Sequence, residues 1–83
     1  MDSITSPLTI SVAQVKMARA ALDLGVRDLA KLAKVSANTI ARLERGEELR
    51  PATLNAVRGA LEAAGVEFIP QNGGGAGVRL KIP

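Results

Sequence analysis

The sequence predicts a mainly α-helical fold in which four helices are followed by a two-stranded β ribbon. Three observations carry that expectation. Apolar residues recur at helical spacing as far as Ala64, the spacing changes to alternation from Val66 onward, and Gly25 to Gly46 reads as two short helices joined by a tight turn. That middle stretch sets Arg27, Lys31, Lys34, Arg42 and Arg45 against Asp28 and Glu44, a positive excess of three that equals the net charge of the whole chain.

Met1 to Ile10, with Ser3, Thr5, Ser6, Pro7 and Thr9, is too polar and too interrupted for a helix, and residues 1–10 are expected to form a flexible arm. Ser11 suits the N-cap of a first helix from Val12 to about Leu24, whose buried stripe is Val15, Ala18, Leu22 and Met17. Gly25 stops that helix, and a second begins near Val26 or Arg27 with Asp28 in its first turn, where a negative charge suits the helix dipole. Leu29, Leu32 and Ala33 form its expected inner face, and the small Ala30 suits a close helix crossing. Lys34 falls in the turn, where a left-handed backbone is commonly needed and Gly or Asn would cost least.

Ser36 opens the third helix as its cap, with Val35 and Ile40 placed as a hydrophobic staple. At about 100° per residue, Ile40 and Leu43 face the core while Asn38, Arg42 and Arg45 cluster on the opposite side. Two arginines on an arbitrary helix would be a solvated surface. Here the staple, the small Ala37 and Ala41 beside them and the short preceding helix favour a face applied to a groove, and the whole stretch reads as a helix-turn-helix. Glu44 falls nearer the packed face and needs a partner, for which Arg19 of the first helix is the candidate.

Gly46 ends the third helix, and Pro51 occupies the first position of a fourth, with Leu54, Val57, Leu61 and Ala64 inside and Asn55, Arg58 and Glu62 outside. Gly65 closes it. Val66–Ile69 and Val78–Ile82 then alternate as two strands around a glycine-rich turn, Gln71 to Gly77. That turn lacks the Lys and the strand-loop-helix context of a phosphate-binding loop, because a strand follows it, and a nucleotide site there has little support. An isolated ribbon leaves open edges. It either packs on the first and fourth helices or continues into a sheet with a second copy, and the second option is favoured, with Val66, Phe68, Val78 and Leu80 at the dimer contact. The expected division is therefore an arm (1–10), a helix-turn-helix domain (11–65) and a dimerisation ribbon (66–83).

Composition limits the function. The 83 residues include neither Cys nor His, which removes disulfides, the usual transition-metal sites and the Ser-His and Cys-His nucleophile pairs, so no enzyme, metal or cofactor is expected. No stretch approaches the roughly 20 apolar residues of a membrane span, and a soluble cytoplasmic protein is the default. With Phe68 as the one aromatic residue, the stacking surfaces of single-strand readers cannot be built, and duplex DNA is the favoured partner. Arginine can donate two hydrogen bonds to guanine and asparagine can pair with adenine, while small alanines let a helix approach the groove floor. The hydroxyls of Ser36 and Thr39 can hold a phosphate or simply cap the helix. No small-molecule ligand is evident.

The stretches A-R-A-A-L (Ala18 to Leu22), L-A-K-L-A (Leu29 to Ala33) and V-S-A-N-T-I-A-R-L-E-R-G (Val35 to Gly46) together resemble the phage repressor and Cro type of helix-turn-helix regulators, the XRE family. The resemblance implies a repressor-like fold with base-reading positions at Ala37, Asn38 and Arg42, phosphate contacts near Ser36 and Thr39, and a buried pair between Arg19 and Glu44. Two positions depart from the family: Val26 stands where a phosphate-holding Gln often opens the second helix, and Lys34 replaces the usual turn glycine. Arg27 is the residue available to take over that phosphate contact, with Lys34 and Arg45 as further phosphate ligands. The tail is similar to that of short bacterial members.

The expectation is a sequence-specific duplex DNA-binding regulator acting as a homodimer. The competing reading is a protein-interaction module, antitoxin-like or anti-activator, that uses the same scaffold to bind a partner protein. A basic outer face on the third helix favours DNA, since a protein-binding version would more often expose an apolar patch there.

Overall fold

The computed structural model describes residues 10–81, and within them each helix starts and stops on signals supplied by adjacent residues. Helix α1 (Val12–Leu22) is capped by Ser11, whose hydroxyl accepts from the Gln14 N–H at 3.1 Å while Gln14 Oε1 accepts from the Ser11 N–H at 2.9 Å. It ends at Leu22 because Asp23 adopts a left-handed backbone (φ 57) and Leu24 returns its N–H to the Arg19 carbonyl at 2.9 Å. Gly25, the expected stop, instead has a φ of −77 and opens α2 (Val26–Ala33), with the Asp28 carboxylate accepting from its N–H at 2.8 Å. A short polar side chain such as Asp tolerates the left-handed region, so the stop fell two residues earlier than glycine suggested.

Helix α2 closes in the same way. Lys34 is left-handed (φ 60), as the turn requires, and Val35 donates to the Ala30 carbonyl at 3.0 Å. Helix α3 (Ala37–Glu44) follows after Ser36, and Gly46 (φ 93) provides the left-handed turn beyond it. Helix α4 (Pro51–Ala64) begins on its proline and is closed by Gly65 (φ 120). Strands β1 (Val66–Ile69) and β2 (Gly77–Leu80) pair antiparallel, Val66 opposite Leu80 and Phe68 opposite Val78.

One core joins all six elements. Val15, Leu29, Ile40, Val57, Leu61 and Val66 are fully buried in it. α2 packs against α3 and α4, while the ribbon lies on α1 and its first strand touches α4. Gln14, a polar residue buried to 4% exposure, ties the ribbon down: its amide donates to the carbonyls of Ile69 at 3.1 Å and Gly77 at 3.0 Å. Arg58, expected outside, is half-buried and stacks over the Phe68 ring at 5.5 Å while pairing with Glu62.

Several faces differ from the sequence expectation. Leu32 is 50% exposed, because the buried face of α2 is centred between Leu29 and Ala30 with Ala33, roughly 100° from Leu32 at helical spacing. Met17 is exposed on α1 and Ala64 on α4. Ile10, assigned to the arm, is a core residue, whereas residues 1–9 of that arm and Ile82 of the second strand lie outside the described residues. Val66 and Phe68, expected at a contact between copies, are buried by α1 and α4 of their own chain, and Val78 is half-buried against the same core. The ribbon therefore uses its inner face within the chain, leaving Leu80 exposed at its rim.

Gly59 lies mid-helix in α4, and a Cβ built there meets nothing within 4 Å. Close packing does not account for it. Gly59→Ala is expected to stabilise the fold by about 0.5–1 kcal/mol, read as a higher thermal midpoint, and a lower midpoint would contradict the open space seen around it.

Candidate nucleic-acid interface

The turn between α2 and α3 is built from short-range bonds. The Ser36 hydroxyl accepts from the Thr39 N–H at 3.0 Å and shares a second hydrogen bond with the Thr39 hydroxyl at 2.9 Å. Both hydroxyls sit at the exposed start of α3, where that of Ser36 caps the helix and that of Thr39 bonds to the cap beside the positive helix end. Behind them Val35 and Ile40 anchor that start in the core, Ile40 with no exposed surface.

The outer side of α3 carries Asn38, Arg42 and Arg45, spaced four and three residues apart and therefore on one face. Ala37 and Ala41 are half-buried beside them. The arginines are not loose. Arg42 Nε donates to Glu47 Oε1 at 2.9 Å and Arg45 Nη2 donates to Glu47 Oε2 at 3.1 Å, so one carboxylate bridges both guanidiniums. Those hydrogen bonds, from Arg42 first and then Arg45, hold the Glu47 carboxyl below the usual carboxylate range. Glu47 was not singled out by sequence reasoning. The signal was present in Gly46: its left-handed backbone folds the chain back, and the Glu47 N–H donates to the Arg42 carbonyl at 3.1 Å.

Ser36, Thr39 and Arg42 come together in a shallow groove whose lining also includes Glu48, Arg50 and Thr53 from the connection to α4 and its start, residues that no local sequence pattern marks. Arg50 sits at the N-cap of that helix and is exposed. Lys34 is exposed at the turn, and Arg27 is exposed in the first turn of α2, outside this groove.

The brace behind the face is Arg19 with Glu44. Arg19 Nε and Nη2 each donate to a Glu44 oxygen at 2.8 Å, and Nη1 donates to the Leu24 carbonyl at 3.1 Å. The Glu44 hydrogen bonds raise the Arg19 guanidinium above its ordinary value against the opposing effect of burial. This pair ties α1 to the last turn of α3 and fixes the angle at which α3 presents its outer face.

Among the described residues no cluster of His, Cys, Asp or Glu could hold a metal ion, and no helix is long and apolar enough to cross a membrane. Residues 12–67, well over half of the chain, match a family model described as a helix-turn-helix domain. No curated protein matches the chain.

Proposed function

The chain belongs to the helix-turn-helix domain family, and on that premise we propose that it is a sequence-specific duplex DNA-binding regulator of the phage repressor and Cro type, without enzymatic activity, acting in the cytoplasm. The observation that carries this reading is the outer face of α3, where Asn38, Arg42 and Arg45 stand together on a helix braced from behind by Arg19 and Glu44. In this reading α3 enters the major groove, with Ala37, Asn38 and Arg42 at base edges. Arg27, Lys34, Ser36, Thr39 and Arg45 approach phosphates. The hydroxyls at the start of α3 and the basic side chains on either side of it suit that division.

The reading includes a homodimer on a two-fold-related site with half-sites roughly 34 Å apart. The edge of β2 supports this part better than its inner face does. Lys81 donates to the Gly65 carbonyl at 2.8 Å, so by antiparallel alternation the backbone groups of Val78 and Leu80 point away from β1, toward the open edge beside exposed Leu80.

Selection of sites from randomised duplex DNA tests the reading directly, because an enriched motif with two related halves reports base readout and the oligomer together. Titration with random duplex across salt is the companion measurement. Absence of binding even at low salt would end the DNA reading and point to a protein-interaction module. Lys34→Ala is expected to weaken binding alike on selected and scrambled duplexes and to reduce the salt slope by about 1, and a loss confined to the selected duplex would remove Lys34 from the phosphate contacts.

A further inference from the structure

We propose that Glu47 sets the specificity of the α3 face, positioning Arg42 for guanine while opposing sequence-independent attraction to phosphate; this rests on the DNA-binding reading above. Three observations place it there. The Gly46 turn returns the Glu47 N–H to the Arg42 carbonyl at 3.1 Å, which fixes the backbone of Glu47 beside the last turn of α3. From that position the two carboxylate oxygens reach Arg42 Nε and Arg45 Nη2 at 2.9 and 3.1 Å. The third observation is which nitrogen of Arg42 is taken. Glu47 holds Nε, leaving Nη1 and Nη2 as the parallel fork that matches O6 and N7 of a guanine.

A long arginine side chain loses rotamer freedom when it docks, and a carboxylate that already fixes its orientation removes part of that loss before DNA arrives. The same carboxylate is a negative charge, 46% exposed, set within the basic face. It repels phosphates of every sequence. Only a base pair that accepts both free Arg42 nitrogens recovers the cost, so Glu47 widens the gap between right and wrong sites. The two effects are separable, because the alignment needs the reach of a glutamate whereas the repulsion needs only the charge.

The test uses the full chain, a duplex selected by the wild type and a scrambled duplex, with binding followed by fluorescence anisotropy from about 50 to about 200 mM salt. Glu47→Gln is expected to tighten scrambled-duplex binding about three- to tenfold, with a smaller gain or a loss on the selected duplex, so that the ratio of the two falls. Glu47→Asp keeps the charge but shortens the reach. It is expected to leave scrambled binding near wild type while weakening the selected duplex about three- to tenfold. Circular dichroism checks that both variants remain folded, which is expected of substitutions at an exposed residue. A selected-to-scrambled ratio unchanged in both variants would overturn the proposal and leave Glu47 an ordinary surface ion pair. A wild-type chain that binds neither duplex at low salt would overturn the DNA reading itself and this proposal with it, an outcome distinct from binding with an unchanged ratio.

Discussion

Glu44→Ala is expected to destabilise the domain by about 2–3 kcal/mol, between the value for an exposed ion pair and that for a fully buried one. The magnitude follows from position. The Glu44 side chain is 11% exposed and that of Arg19 is 24% exposed, and two bonds of 2.8 Å join them. Removing the carboxylate leaves a guanidinium with only the Leu24 carbonyl among those partners, in a site too enclosed for water to replace the loss fully. In a domain of this size the loss corresponds to a fall in thermal midpoint of roughly 10–20 °C. Urea denaturation of the wild type and the variant measures it. Replacing both residues by methionine is expected to recover much of the loss, because the cost lies in the orphaned charge more than in the absence of the pair. A loss below about 0.5 kcal/mol would place the pair with exposed ones and remove its role as the brace of α3.

Arg42→Ala is expected to weaken binding to the selected duplex by about 1–3 kcal/mol and to relax base preference at one position. The Arg42 side chain is 42% exposed, so its loss leaves no cavity, and stability is expected to stay within about 0.5 kcal/mol of wild type. The truncation also frees one oxygen of Glu47, which keeps its bond to Arg45. Part of the measured loss is thus repulsion between the released carboxylate and the DNA. Repeating the selection with the variant separates the two contributions: lost base readout blurs one position, whereas repulsion lowers affinity evenly. An equal loss on selected and scrambled duplexes would remove Arg42 from base reading.

Most of the local architecture was legible because it depends on residues close in sequence. Ser11, Ser36, Pro51 and Gly65 are boundary signals that act within about four residues, and each sits at the boundary it marks. The Arg19 and Glu44 pair spans α1 and α3 and was still foreseeable, since a carboxylate on a packed face requires a partner and the family resemblance implies the same two residues. Glu47 was missed because its contact with Arg42, five residues back, depends on the left-handed Gly46 folding the chain back, and a glycine taken merely as a helix stop says nothing of the chain beyond it.

Helical period, caps, the change to alternation and the concentration of basic charge in Gly25 to Gly46 determined by themselves the order of the elements and the outward face of α3, because each depends on near neighbours. Tertiary structure decided which flank of each apolar stripe is covered. It exposed Leu32 and Met17, drew Ile10 and Gln14 inward, and laid Val66 and Phe68 on the helices of their own chain. Periodicity locates a stripe only to within the width of a neighbouring side chain, and burial is settled by whichever distant element arrives to cover it.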